Sequence, residues 1–342
     1  MSDKGAAYEQ RAEVAPVKKG KRKTCMRHCK RFWWAYLIAS ILIIVLVVCL
    51  IIFVAVPKIA QGKIDDSELE IQSVRILDTT SDTYRMEIDS VIRTDGHIKA
   101  KVYPFEGVMY LEDKPGHEPF AILNFPETSA AKEQVVNITQ DVTITNMDAF
   151  TDFNIWFHNN ETLRITVEGK TQVKPSGLAR KYDVNFKKTL EIKGLNVFAG
   201  TKVTEGEISI ETDDEGKNFH GVADIPNASH FTLDIGNVSF TNFIGDEYLG
   251  HLFIDDLILR PGSNVVNISA NMNQIAALRI LRNSDECESG ILPFKLLGDN
   301  VTNHGENISY FAAALSSVNQ TVPIDIGSLI AAALNETVEC AN

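Results

Sequence analysis

The feature that most constrains this chain is an uninterrupted apolar stretch near its N-terminus. Residues Ala35 to Val56 carry no charge, and the only hydroxyl groups among them belong to Tyr36 and Ser40. As an α-helix this stretch would rise about 33 Å, which matches a hydrocarbon core of about 30 Å. A buried helix of a globular protein is rarely apolar on every face. The stretch therefore predicts a transmembrane helix.

A cleaved signal peptide is the main alternative for this stretch. The apolar region of a signal peptide spans about 7 to 15 residues and ends at a site with small residues. Here the apolar run is longer, and cleavage after Ala60 would place Lys58 where a small neutral residue is needed. An uncleaved anchor is the better interpretation.

The charge on either side of the anchor predicts its orientation. Residues 1–31 carry ten Lys and Arg against three Asp and Glu, a net charge of +7. The whole chain carries −12, so the remainder carries −19. Because Lys and Arg close to a span favour the cytosolic side, we expect a cytosolic tail and a luminal or extracellular remainder. The tail charges either set this topology alone or also bind anionic lipids of the cytosolic leaflet.

Acceptor sequences for N-linked glycans support the same orientation. All of them follow the anchor, and they are more numerous than the Asn, Ser and Thr content would give by chance. Such sites are meaningful only on a chain that enters the secretory lumen. The predicted glycosylation sites are Asn137, Asn160, Asn227, Asn237, Asn267, Asn300, Asn307, Asn319 and Asn335.

The cysteines divide in agreement with this topology. Cys287 and Cys340 are the only two after the anchor, and an even pair in an oxidising compartment predicts a disulfide. Cys25 and Cys29 lie in the basic tail, where palmitoylation and unmodified thiols are the two interpretations. With His28 they supply three soft ligands, one fewer than a closed zinc site requires.

The residues after the anchor follow a period of two. Alternating apolar residues recur in short runs such as 84–92, 163–167, 182–186 and 231–240, with turn residues between them. This pattern is typical of antiparallel β-structure. We expect a mainly β protein: a single N-terminal transmembrane helix, then two tandem antiparallel, immunoglobulin-like β-sandwich domains with a few short helices.

One aromatic segment breaks the period of two. Phe150, Phe153, Trp156 and Phe157 fall at helical spacing, as do the apolar residues of 275–281 and 326–334. The favoured interpretation is a short helix that closes one end of a sandwich. The alternative is that these four rings form the rim of an apolar cleft that binds a lipid.

A weak internal repeat predicts where the domains meet. The run from Gln134 to Thr139 recurs as Asn264 to Ser269, and each copy follows a polar turn and an apolar stretch. We therefore divide the chain into a cytosolic tail (1–31), the anchor (32–57), a linker (58–66), a first β-sandwich (67–196) and a second β-sandwich with a helical C-terminal part (197–342).

The second half of the chain resembles the late-embryogenesis-abundant type 2 domain. In that domain a Pro-Asn turn precedes one strand and a Pro-Gly-x-Asn turn leads into another; here the matching residues are Pro226-Asn227 and Pro261-Gly262-Ser263-Asn264. Residues 57–61 and 67–71 look like a fungal family of type II membrane proteins with tandem domains of this kind. That family includes vacuolar-membrane members linked to autophagy control. The resemblance covers about residues 57–340 and implies no catalytic residues and no cofactor.

No motif of an enzyme or a metal site is visible. The histidines after the anchor do not pair at metal-binding spacing, and no nucleophile elbow or phosphate-binding loop occurs. Asp213 to Gly216 is interpreted as a hairpin turn rather than a calcium loop. The acidic remainder argues against a nucleic-acid partner.

The favoured function is a non-enzymatic binding or scaffold module at the vacuolar membrane or another endomembrane. Its partner would be a lipid ligand or a luminal protein. The alternatives are a cell-surface glycoprotein that recognises a protein or cell-wall partner, and a luminal hydrolase.

Overall fold

The computed structural model describes residues 22–334 and 339–341, with side chains from residue 32 to 333 and from 339 to 341. The chain divides into two compact units, the first ending at Lys58 and the second beginning at Ile59.

Most of the apolar helix belongs to the first unit. Helix α1 (Arg22–Leu50) continues through a π-helical turn (Ile51–Ala55) into α2 (Val56–Asp65). The segment Phe32–Asp65 is long and apolar enough to cross a membrane; its most apolar 18-residue stretch has a mean hydropathy of 3.6 and is not buried. The helix runs beyond the predicted span, so the segment predicted as a linker (58–66) is helical as far as Asp65.

The second unit is mainly β and contains two sheets. The large sheet has 11 strands: β1 (Glu68–Leu77), β2 (Thr83–Arg93), β7 (Glu133–Thr143), β10 (Lys202–Ile208), β11 (Phe219–Asn227), β12 (Phe231–Ile244), β13 (Glu247–Leu259), β14 (Gly262–Met272), β15 (Ile291–Asn303), β16 (Glu306–Asn307) and β17 (Gln320–Asp325). The small sheet has six: β3 (Ala100–Val102), β4 (Phe105–Leu111), β5 (Pro119–Phe125), β6 (Thr128–Ser129), β8 (Thr162–Pro175) and β9 (Tyr182–Lys193). The mainly β fold predicted from the period of two is confirmed.

Strand pairing follows the same order in the two halves of this unit. In the first half, β1, β2 and β7 lie side by side, and so do β5, β4, β8 and β9. In the second half, the corresponding rows are β10, β11 and β14, and β13, β12, β15 and β17. All of these pairs are antiparallel. This common order is what a duplication of one structural unit would produce.

A helix occupies the equivalent position in each half. Helix α3 (Met147–Asn159) joins β7 to β8, and α4 (Gln274–Arg282) joins β14 to β15. Each helix begins after an asparagine whose side-chain oxygen accepts a hydrogen bond from the main-chain N–H three residues later. Asn146 accepts from Ala149, and Asn273 accepts from Ala276. Asparagine is favoured at this position because it satisfies one of the free N–H groups of the first turn. The helices predicted near 150, 275 and 326 are therefore confirmed; the third is α6 (Ile326–Leu334), and a further helix, α5 (Ser309–Ser316), precedes β17.

One strand pairing and a shared hydrophobic core join the halves into one unit. Strand β1 pairs in parallel with β12 of the second half through Val74 to Ile76. In the second half β13 also pairs with β14. This pairing joins the row of β10, β11 and β14 to the row of β13, β12, β15 and β17 in one sheet. Gly250 permits this close pairing, because its φ is 132° and an added Cβ would lie 1.8 Å from the carbonyl oxygen of Asn271. One hydrophobic core draws buried residues from both halves.

Candidate functional site

The four aromatic residues predicted to rim a lipid cleft do not do so. Phe150, Phe153 and Phe157 are buried in the core, and Trp156 is half-buried against it. The ring of Phe153 stacks on that of Phe120 at 4.2 Å. The adjoining cavity has a volume of about 30 Å³, which suits one or two water molecules and no acyl chain. The lipid-cleft interpretation of these residues is wrong, because helical spacing is the same for a core-facing stripe and for a cleft rim.

A larger cleft lies elsewhere, between the two sheets of the first half. Its volume is about 560 Å³, within the range of ligand-binding sites in proteins. Four strand ends surround it: the start of β1, the end of β2, the start of β8 and the end of β9. His230, which precedes β12, completes the lining. We take this inter-sheet cleft as the candidate site.

Two of its walls are strand edges with no strand partner. Residues Glu68 to Ile71 pair with β2 on one side, whereas pairing with β12 begins only at Val74. Residues Leu190 to Lys193 pair with β8 on one side. Within the described residues no strand pairs with the other side of either segment. Both segments therefore line the cleft and have one main-chain edge without strand pairing.

The earlier part of the β9 edge is covered by helix α2. The side-chain amide of Gln61 donates to the carbonyl oxygen of Asn185 and accepts from its N–H, both at 2.8 Å. The ammonium group of Lys188 donates to the carbonyl oxygens of Asp65 and Ser67. Burial lowers the pKa of Lys188. Gln61 thus covers the β9 edge at Asn185, and Lys188 holds residues 65 and 67 against β9 just before Leu190, where the cleft begins.

The cleft side chains combine an apolar floor with a charged rim. Leu69, Ile71 and Leu190 are half-buried and Ile192 is buried. Because alternate residues of a strand point to opposite faces, these residues alternate with charged ones along β1 and β9. The rim charges are Glu68, Glu70, Arg93, Glu191 and Lys193.

One ion pair fixes part of this rim. Arg93 donates to the carboxylate of Glu70, and this hydrogen bond raises the pKa of the Arg93 guanidinium. The remaining rim charges are two carboxylates and one ammonium group. The site therefore offers apolar contact, main-chain hydrogen bonding and a slightly negative rim.

One mixed group of possible metal ligands exists among the described residues. Ligand atoms of Asp78, Asp234 and His304 lie within 4.8 Å of one another. The main-chain N–H of Asp78 donates to Asp234 at 3.1 Å, and the guanidinium of Arg85 lies 3.6 Å from Asp78. These contacts already partner the carboxylates, so ordinary polar interactions account for the group. Sequence inspection missed it because the three residues lie far apart in the chain.

The predicted glycan acceptors differ in exposure. Asn137, Asn237, Asn267, Asn300, Asn307 and Asn319 are exposed, and Asn160 is half-buried with its amide donating to Trp156. Asn335 lies outside the described residues. Asn227 is only 2% exposed; its amide donates to the carbonyl of Phe231, and its oxygen accepts from Ser229. A glycan at Asn227 would therefore not fit in the folded chain, because the amide that would carry it is buried and hydrogen-bonded.

The predicted disulfide is confirmed. Cys287 and Cys340 are bonded, with their Cα atoms 5.8 Å apart. Next to it, the N–H of Ala341 donates to the carbonyl of Arg282 at 2.9 Å, so the chain end is held against the end of α4. Cys25 and Cys29 lie in α1 where only the main chain is described, so the structure does not bear on palmitoylation.

Comparison with known proteins gives a partial match. The model of the family described as "Protein of unknown function (DUF3712)" matches residues 118–242, from the start of β5 into β12. No curated protein matches the chain. Two crystal forms of a bacterial adhesin from Mobiluncus mulieris, which contains disulfide, isopeptide and ester cross-links, are 8% identical. The alignments cover 74% and 80% of this chain and 84% and 95% of the adhesin, with a TM-score of 0.19, too low to support any inference.

Proposed function

We propose that this chain is a membrane-anchored, non-enzymatic binding module with its β unit in the lumen of the secretory system. The observation that carries the proposal is an exposed apolar helix followed by a disulfide-bonded β unit with an open cleft. Disulfides persist in oxidising compartments such as the secretory lumen and the cell exterior. The basic tail favours a cytosolic N-terminus.

Binding rather than catalysis suits the chemistry of the cleft. Its walls are strand edges and aliphatic side chains, and Arg93 is engaged with Glu70. His230 and Thr162 border the cleft from different strand ends. A hydrolase remains the alternative, and hydrolysis of ester or glycoside probes that is lost on replacement of His230 would favour it.

The resemblance to fungal type II proteins favours the vacuolar membrane as the location. A cell-surface glycoprotein is the second candidate, because the exposed acceptor asparagines would suit a chain that recognises a protein or cell-wall partner. The basic tail would add contacts with anionic lipids on the cytosolic face. Imaging of the full chain with a fluorescent C-terminal fusion distinguishes the vacuolar rim from the cell surface.

The topology is tested in sealed microsomes. We expect external protease to remove only the N-terminal tail, and glycosidase to lower the mass of the protected fragment by several glycans. A protease-sensitive C-terminus or an unglycosylated chain would overturn the proposal.

A matched pair of variants tests the anchor itself. Leu42→Arg with Leu46→Arg places two charges in the span, at a cost of about 3 kcal/mol each for insertion. We expect this variant to be extracted by alkaline carbonate, whereas Ile210→Arg, at an exposed position of the β unit, stays in the membrane fraction.

A further inference from the structure

We propose that the inter-sheet cleft binds an extended peptide segment of a luminal partner, which adds as a strand to the open edges of β1 and β9. This inference rests on the proposed function, since the partner must meet the β unit in the lumen. Strand addition is a common mode of peptide recognition, in which main-chain hydrogen bonds give affinity and side-chain pockets give specificity.

The open edges define the chemistry of the occupant. Residues 68–71 and 190–193 each have one side without strand pairing in the described chain. Unpaired main-chain N–H and C=O groups at a sheet edge are a template for another extended chain. Four strand residues span about 13 Å, so each edge accommodates a peptide of four or five residues.

The structure already contains a small example of this recognition. Gln61 pairs its side-chain amide with both main-chain groups of Asn185, on the same strand and five residues before Leu190. An amide group from outside the sheet thus occupies the β9 edge at one end. A peptide in the cleft would continue this row of hydrogen bonds toward Lys193.

The same edges argue against an acyl chain as the occupant. An acyl chain provides no hydrogen-bonding groups, so it would cover the main-chain edges without pairing them. Burying an unpaired N–H or C=O is costly, whereas a peptide satisfies both.

The side chains of the cleft define the type of peptide. Leu69, Ile71 and Leu190 offer apolar contact along the floor, which suits apolar residues at every second peptide position. With Arg93 engaged by Glu70, the carboxylates of Glu68 and Glu191 outnumber the ammonium group of Lys193. We therefore expect neutral or basic residues at the outward positions of the peptide.

Photo-crosslinking of the full chain in its native membrane is the first test. The reporter p-benzoylphenylalanine is placed at position 69 or 190 in the cleft, and at position 210 as an exposed control. We expect a peptide adduct at both cleft positions that maps to one segment of a partner and is absent at the control. A lipid adduct, or no adduct above the control, would overturn the proposal.

The second test concerns the main-chain hydrogen bonds. A synthetic copy of the crosslinked segment is bound to the full chain in nanodiscs and compared with a copy N-methylated at alternate amides. Because N-methylation removes donors and leaves the side chains, we expect about tenfold weaker binding or more when the methylated amides face an edge. Binding of the N-methylated copy as tight as that of the unmethylated copy would exclude strand addition.

Glycan mass shifts on the same crosslinking variants separate this proposal from the broader one. A glycosylated, protease-protected chain without a peptide adduct would refute the peptide proposal alone. An unglycosylated chain would refute the luminal location as well. Leu190→Glu should abolish peptide binding, while Ile210→Glu should leave it unchanged.

Discussion

The side-chain amide of Gln61 forms two hydrogen bonds, each of 2.8 Å, with the main chain of Asn185, in the manner of a neighbouring strand. Edge strands with free main-chain groups invite association with other chains, and proteins commonly cover them. Gln61 of helix α2 performs this role on β9 at Asn185, and Lys188 holds the end of α2 in place by binding the carbonyls of Asp65 and Ser67. The cleft lies where this cover stops.

Removal of the Gln61 amide tests the importance of this cover. We expect Gln61→Ala to lower the free energy of unfolding by about 1–3 kcal/mol, since it removes two hydrogen bonds to Asn185 that contribute about 0.5–1.5 kcal/mol each. Urea unfolding of the detergent-solubilised chain measures the change. Gln172→Ala is the control, because the Gln172 amide binds only the exposed carboxylate of Asp183 and should cost less than about 1 kcal/mol. Equal losses would show that the Asn185 contact has no special role.

Asn227 provides a prediction about glycan occupancy. We expect mass spectrometry of deglycosylated peptides to find Asn227 unmodified and exposed acceptors such as Asn267 modified. The physical reason is that the Asn227 amide is buried and donates to Phe231 at 2.8 Å. Asn227→Ala should also destabilise the fold by about 1–3 kcal/mol, whereas Asn267→Ala should be nearly neutral. A glycan at Asn227 on correctly folded chains would contradict this prediction.

The disulfide provides a prediction about stability. Cys287 and Cys340 are separated by 53 positions, and closing such a loop contributes about 4 kcal/mol in the chain-entropy account. We expect Cys287→Ser with Cys340→Ser to lower the thermal unfolding temperature and to remove the mobility difference between reduced and non-reduced gels. Cys49→Ser, in the apolar helix, should change neither. Unchanged unfolding in the double variant would show that the bond does not support the fold.

His158 provides a prediction about pH. Its side chain is 1% exposed, and burial lowers the pKa of the imidazole below its usual value of 6.5. The folded chain therefore holds this group neutral, and the unfolded chain binds the extra proton as the pH falls. Stability should be constant above pH 6.5 and decline below it, by at most about 1.4 kcal/mol per pH unit from this residue.

Comparison of two variants over pH 5 to 8 checks this assignment. His158→Gln should flatten the decline, whereas His117→Gln, at an exposed position, should leave it in place. A decline of the same slope in the His158→Gln variant would assign the pH dependence to other groups.

Much of the architecture was predictable because it depends on local pattern. An uncharged run specifies the apolar helix, alternation specifies the strands, and two cysteines after the anchor leave one intramolecular pairing. The cleft was not predictable, since residues 69 and 190 line it together although they are far apart in the chain, and since it depends on where pairing between β1 and β12 begins. Asn227 shows another limit: the same Asn-x-Ser triplet signals a glycan site on an exposed segment and a hydrogen-bonded turn in a core.

The parallel pairing of β1 with β12 also has a consequence for the order of events during synthesis. Val74 leaves the ribosome well before its partner Phe231, 157 positions later. At typical elongation rates the interval is about 8–30 s. During that time one edge of β1 lacks its strand partner β12, while the remaining strands of the first half emerge. The nascent first half thus has to wait with an exposed edge, so we expect chaperone engagement to peak before Phe231 emerges and to fall once β12 has docked.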